Sequence, residues 1–331
     1  MHHFITGVAG FIGSHLADRL VERGAHVSGV DDLSLGKLDN LSHASTSPCF
    51  RFFQGDISER DNAIVYLRSA SEWGGPVDVI WHFAANSDIG AGVADASIDF
   101  KKTLQTTFAV LEGAKSEQVK SIAFASTSAV YGERDDLLTE NSGPLLPISN
   151  YGATKLASEA LLSAAAESFL DRVWIFRFPN VVGSRPTHGA IYDFVGRLGS
   201  RPASLTVLGN GSQTKPYLHV SELIAAMEFI VGHAADRRNV FNIGPSGEGT
   251  TVTFIAEQVI ARTSPGTKIA YTGGDRGWVG DVPRFRYSTE RLSGLGWRPK
   301  LSSDEAVLRA IDEIIDVSSM TEPSSECDRL K

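Results

Sequence analysis

Close to its start, an apolar strand runs through three glycines into a helical pattern, Thr6-Gly7-Val8-Ala9-Gly10-Phe11-Ile12-Gly13-Ser14-His15-Leu16. Glycine admits φ > 0 and lets backbone N–H groups approach a pyrophosphate closely. The helix opening directly behind the turn offers an anion its free donors and its positive dipole end. The spacing Gly-x-x-Gly-x-x-Gly differs from the Gly-x-Gly-x-x-Gly of most dinucleotide-binding folds. An acid completes the pattern: Asp31 follows Gly13 by 18 residues, in Val30-Asp31-Asp32 at the end of the second strand. A carboxylate there accepts the ribose hydroxyls of NAD and repels the 2′-phosphate of NADP. Gly7, Gly10, Phe11, Ile12, Gly13 and Asp31 are therefore the expected core of an NAD site.

The first 180 residues keep the rhythm that this start implies. Strands are expected at Phe4–Thr6, Ala25–Val30, Phe50–Gln54, Val77–Phe83, Ser121–Ala125 and Val173–Phe178. Helices are expected at Phe11–Arg23, Ser58–Ala70, Val93–Ser116 and Tyr151–Phe169. Regular βαβ alternation predicts an α/β fold with a Rossmann-type doubly wound parallel sheet. Ligands of such sheets bind at the carboxyl ends of the strands. That places Asp56-Ile57 after the third strand as an adenine contact, and Ala84 and Ala85 after the fourth as points of close ligand approach. Beyond residue 180 the spacing turns irregular, as in Gly183-Ser184-Arg185-Pro186. The expected division is a dinucleotide-binding domain of residues 1–179 plus about 215–244, a smaller α/β substrate-binding lobe of 180–214 plus 245–317, and a flexible tail of 318–331. Val220–Val231 and Val240–Ile243 are read as returning to the first domain.

Composition narrows the function. A net charge of −8 without a clustered basic face argues against a nucleic-acid partner. No apolar run approaches the ~20 residues of a membrane span. Cys49 and Cys327 make neither a metal-ligand spacing nor a disulfide framework, which suits a reducing cytoplasm. His2 and His3 run straight into the first strand and are read as native rather than as the remnant of a tag.

The chemistry is carried by Tyr151-Gly152-Ala153-Thr154-Lys155, the one Tyr-x-x-x-Lys in the chain, at the start of a helix. The i, i+4 spacing puts phenol and amine on one face. A phenol with an ordinary pKa near ~10 is a poor base at neutral pH, and a neighbouring ammonium together with a nicotinamide charge lowers that value. Upstream, Ala125-Ser126-Thr127-Ser128 ends a strand in small hydroxyl residues. Such a hydroxyl can donate to a substrate alkoxide or carbonyl.

With these motifs in this order, the chain resembles the extended short-chain dehydrogenase/reductases, and within them the nucleotide-sugar epimerases of the UDP-glucose 4-epimerase type. The resemblance runs from Gly7 to about Ile315. Besides the motifs above it rests on His82-Phe83-Ala84-Ala85, Arg177-Phe178-Pro179-Asn180-Val181-Val182-Gly183, Tyr217-Leu218-His219-Val220 and Gly280-Asp281-Val282-Pro283. It implies Thr127, Tyr151 and Lys155 as catalytic hydroxyl, base and activating ammonium, and Asn180 as a ligand of the substrate diphosphate. Lys215 stands where relatives often carry an arginine for the same phosphates, with Arg276 assisting. Where relatives often show Asn-x-x-Gly-Thr on the fourth helix, this chain has Leu104-Gln105-Thr106-Thr107.

The same resemblance selects the reaction. Dehydratases of the family look like Thr-Asp-Glu, and decarboxylases like Thr-Ser-Glu, where this chain has Thr127-Ser128-Ala129. Ala129 carries no proton-transfer group. The expectation is an NAD-dependent nucleotide-sugar 4-epimerase acting on UDP-glucose and UDP-galactose through a 4-keto sugar. Phe285 lies where bulk in relatives limits room for an N-acetyl group, and Arg185 lies where a glucuronate carboxylate would be met. UDP-glucuronate and UDP-N-acetylhexosamine 4-epimerases and a 4-keto-sugar reductase stay open as alternatives. A non-enzymatic dinucleotide sensor is disfavoured, since a sensor has no use for Tyr151, Lys155 and Thr127. Relatives commonly dimerise through the two long helices, so a homodimer is expected, with Ala153, Ala157, Ala160 and Ala164 on the packing face.

Overall fold

The computed structural model describes residues 1–274, 276–277, 282 and 284–321, the side chains of 318–321 excepted. Seven strands form one parallel sheet: His2–Thr6, His26–Asp31, Phe50–Gln54, Val79–His82, Ser121–Thr127, Arg172–Phe178 and Arg238–Asn242. Across the sheet their order in the chain is seventh, sixth, fifth, fourth, first, second, third. The direction of winding therefore reverses between His2–Thr6 and Val79–His82, which are paired through Thr6 and His82. A crevice opens at such a reversal, at the carboxyl ends of the strands.

The strands are apolar because helices cover both faces of the sheet. On one face Leu16, Ala17 and Leu20 of the helix Phe11–Glu22 pack with Leu223, Met227 and Ile230 of Val220–His233. On the other, Ala63 and Leu67 of Arg60–Gly74, Val110 and Ala114 of Thr106–Ser116, and Leu162 and Ala166 of Asn150–Ser168 share a second core. His2 and His3 lie inside the first strand. His2 is hydrogen-bonded to Gly75 O and Ser28 Oγ, and Trp81 donates to His3 Nδ1.

A third core stands apart from the sheet. Phe194 and Leu198 of the helix Ala190–Leu198, Ile255 and Val259 of Val252–Thr263, and Val307 and Ile311 of Ser303–Thr321 close over the strand Ser204–Val207. That strand pairs in parallel with Lys268–Tyr271.

Two elements differ from expectation. The helix foreseen at Val93–Ser116 is broken into Ile89–Ala94, Ala96–Asp99, a π-helical turn Phe100–Gln105 and Thr106–Ser116. Asp95 restarts the chain by capping Ser97 N at 2.9 Å. At the π turn Thr106 Oγ1 bonds back to Lys101 O at 3.1 Å and Thr107 Oγ1 to Thr103 O at 2.8 Å, so β-branched hydroxyls draw carbonyls out of the regular ladder. The expected tail begins inside a helix: Ser303–Thr321 runs through Ser318, and residues 322–331 lie outside the described part of the chain.

Candidate active site

Gly7 takes φ +70°, and a Cβ on it would stand 2.8 Å from Ala84 N. A Cβ on Gly13 would lie 2.2 Å from Gly7 O, so this glycine lets the helix close against its own turn rather than against a ligand. Gly10 caps the helix with neither a side-chain oxygen nor an acid in the first turn. The first-turn N–H groups, which a helix cannot satisfy internally, thus open toward the crevice, where Phe11, Ile12 and Gly13 form part of the wall. Thr6 fixes this junction from below. Its Oγ1 accepts Phe83 N at 3.2 Å and Ala84 N at 3.0 Å and bonds His82 Nδ1 at 2.8 Å. His82 Nε2 meets Thr107 Oγ1 at 3.0 Å, and Thr107 Oγ1 lies 3.0 Å from Ser158 Oγ of the Tyr151 helix.

Asp31 is 8% exposed. Ala9 N donates to its Oδ2 at 3.0 Å and Leu33 N to its Oδ1 at 2.8 Å, locking the carboxylate between the glycine turn and the second strand. Burial pushes its pKa above the ordinary value against the pull of those N–H groups. Asp56 Oδ1 accepts Ser58 N at 2.8 Å, beside the buried Ile57.

Tyr151 and Lys155 sit in the first turns of Asn150–Ser168, whose N-cap Ser149 accepts Gly152 N at 3.1 Å. Tyr151 lines the same cavity wall as Thr127, the last residue of the central strand Ser121–Thr127, and the Thr127 hydroxyl pulls the phenol's pKa down. Lys155 is 3% exposed and donates to Ala125 O at 2.7 Å, with its ammonium 4.8 Å from the Phe124 ring centre. Burial dominates both groups: it raises the Tyr151 phenol to about 12 and lowers the Lys155 amine to about 7. In the protein alone the phenol stands above its ordinary value rather than below it, because desolvation outweighs the pull of Thr127. Beneath them lies a buried network that sequence reading missed. Arg177 and Glu159 form an ion pair at 2.6 Å, Ser126 donates to Glu159, and Arg177 donates to Tyr131 Oη at 3.1 Å. Arg177 was visible as part of a motif, but its partner on the neighbouring helix was not.

One cavity of about 770 Å³ gathers these groups. It is lined by Gly7, Gly10, Asp31, Asp56, Ala84, Ala85, Thr127, Tyr151 and Lys155 at the sheet, and by Asn180, Lys215 and Phe285 toward the smaller core. Asn180 reaches it from a short strand paired with Tyr217–His219, which directly follows Lys215 and Pro216. Two expected site residues point elsewhere. Arg185, at φ +62°, pairs with Asp18 of the first helix at 2.7 Å, and Arg276 meets both oxygens of Glu133 at 2.8 Å. Neither lines the cavity. Each guanidinium found a carboxylate that lies far from it in sequence. Gly280, Asp281 and Pro283 of the last motif lie outside the described residues. Among the described residues no cluster could hold a metal ion, and no helix is long and apolar enough to cross a membrane.

Residues 3–244 match the NAD dependent epimerase/dehydratase family. The chain belongs to that family. Among members, the UDP-glucose 4-epimerase of Mycolicibacterium smegmatis is 31% identical over 324 residues, covering 94% of this chain and 98% of that protein. The crystal structure of a UDP-galactose 4-epimerase superimposes with a TM-score of 0.81 at 33% identity, covering 97% of this chain and all of that one. The Thermus thermophilus UDP-glucose 4-epimerase in complex with NAD gives 0.82 at 27% identity, covering 95% of this chain and 98% of that one. The chain spans about half the length, 46%, of a trifunctional UDP-glucose 4,6-dehydratase, epimerase and reductase of Arabidopsis thaliana, to which it is 28% identical. As a member of an NAD-dependent family, the chain has a donor set suited to its cofactor: an uncapped helix start for a pyrophosphate and a fixed carboxylate beyond it for a ribose.

Proposed function

We propose that this protein is an NAD-dependent nucleotide-sugar 4-epimerase that interconverts UDP-glucose and UDP-galactose. The observation that carries the reading is that Thr127, Tyr151 and Lys155 line one cavity with the glycine turn and with Asn180 and Lys215. In this reading Gly7, Gly10, Phe11, Ile12, Gly13, Asp31, Asp56, Ile57, Ala84 and Ala85 hold the dinucleotide. Bound NAD⁺ supplies the hydride acceptor for C4 and a positive charge that favours phenolate. Tyr151 Oη takes the O4 proton and later returns it, and Thr127 orients O4 toward the phenol. Lys155 sets the local charge from beneath. Asn180 and Lys215 anchor the diphosphate while the 4-keto sugar turns its other face to the ring.

Ala129 lines the same wall, and a Cβ on Gly152 would stand 2.8 Å from its carbonyl oxygen. The helix start packed here leaves the site without a carboxyl group at this position to drive elimination. That supports epimerisation over the dehydratase activity named among the relatives. The test is incubation of the purified protein with UDP-glucose or UDP-galactose without added cofactor. Interconversion is expected, whereas no interconversion, together with consumption of added NADH when a nucleotide 4-keto sugar is supplied, would identify a reductase.

A homodimer and a cytoplasmic location belong to the same proposal. Val93, Phe100 and Phe108 of the broken helix and Leu146 and Ile148 before the Tyr151 helix are each at least 40% exposed. Val93, Ile148 and Ala153 line a common depression, and Ala160 and Ala164 continue the exposed face, which a second copy would bury. Light scattering of wild type and Phe100→Asp checks this.

A further inference from the structure

At the far end of the cavity three carboxylates, Asp31, Asp32 and Asp56, line the wall together with the ammonium of Lys102. Asp32 divides its work between two oxygens. Oδ1 closes a turn by accepting Ser34 N at 2.9 Å and Ser34 Oγ at 2.6 Å. Oδ2 holds Lys102 Nζ in a short ion pair. Lys102 comes from the π-helical turn, and its ammonium lies 3.8 Å from Asp56 Oδ2. One amine therefore ties together the segments that follow the second, third and fourth strands. It remains partly open to solvent, with 34% of its side chain exposed.

We propose that the Asp32–Lys102 pair is a determinant of cofactor selectivity separate from Asp31, engaging the amine that would otherwise meet a 2′-phosphate on the adenosine ribose. The inference rests on the dinucleotide lying with its adenosine at this end, as the proposed function requires. A 2′-phosphate entering here meets Asp31, already fixed by two N–H groups, while the nearby counter-charge is occupied by Asp32 and Asp56. Freed from Asp32, the flexible lysine stem would let the ammonium swing to the phosphate. The divided carboxylate makes this separable, because Asp32→Asn keeps the Oδ1 acceptor for Ser34 and removes the charge that holds Lys102.

The experiment measures binding of NAD and NADP by isothermal titration calorimetry to wild type, Asp32→Asn, Lys102→Met and the double variant, at low and high salt. Wild type is expected to bind NAD and discriminate against NADP. Asp32→Asn should bind NADP about tenfold more tightly than wild type, as one charge-assisted contact to phosphate allows, with NAD affinity changed by less than about threefold. The gain should vanish in the double variant and shrink at high salt. NAD binding with an unchanged NAD-to-NADP ratio in Asp32→Asn overturns this inference alone. Wild type that binds neither dinucleotide overturns the functional reading and this inference with it. Lys102→Met separates the tie from the selectivity: it should weaken NAD binding while leaving NADP excluded.

Discussion

Tyr151 and Lys155 stand one helical turn apart, yet the ammonium lies 6.0 Å from the centre of the phenol ring and donates to Ala125 O instead. The ammonium thus meets a backbone carbonyl rather than the phenol, and the influence that lowers the phenol's pKa is that of Thr127.

Tyr151→Phe should lower epimerase turnover by about 10³-fold, within the range of a positioned acid–base group. The ring stays in place, so NAD affinity should change by less than about threefold. Turnover measured beside calorimetric NAD binding checks both, and a variant with more than a tenth of wild-type activity places the base elsewhere.

Lys155 makes stability depend on alkaline pH. Its amine is lowered by burial from 10.5 to about 7, so between those values the unfolded chain holds a proton that the folded chain has released. Unfolding takes up a proton there, and stability should rise with pH across that window. Tyr151, raised from 10.0 to about 12, acts in the opposite sense above pH 10. Urea midpoints from pH 7 to 9 should climb for wild type and flatten for Lys155→Met.

The acid side follows from buried imidazoles. Burial lowers His82 to about 3 and His3 to about 4, so both stay neutral in the fold while the unfolded chain protonates them below about 6.5. Stability should fall as pH drops from 6.5 toward 4. His82→Gln, which keeps hydrogen-bonding groups toward Thr6 and Thr107, should reduce that slope in thermal melts.

Glu159→Ala leaves the Arg177 guanidinium buried without its partner and should cost about 3–5 kcal/mol in urea unfolding. Glu159 is also the largest influence holding the Lys155 amine up. The alkaline rise in stability should therefore reach further down in pH in this variant.

Lys215→Met should weaken UDP binding by about tenfold, the loss of one charge-assisted contact, with a smaller change in turnover. Calorimetry with UDP beside steady-state kinetics separates the two effects.

The sheet was legible because its signals are local. Alternating apolar runs, a glycine turn and the spacing of Tyr151 and Lys155 each express a backbone period or a steric need that a few residues carry alone. The broken helix before Thr106 was not legible. Its residues have ordinary helical patterning, and the partners that Thr107 meets at the break, His82 and Ser158, lie far from it in sequence. Motif position gave Arg185 and Arg276 a place near the substrate, but a long guanidinium goes to whichever carboxylate the fold brings within reach.

By itself the sequence determined the parallel sheet, the turn that opens its first helix, and the phenol and amine one helical turn apart. Tertiary structure alone decided the charge balance around them: which carboxylate holds Lys102, how far burial drives Tyr151 and Lys155 apart in acidity, and which arginines face the cavity. Backbone periods are written in neighbouring residues, whereas electrostatics and desolvation depend on groups that meet only after the chain has folded.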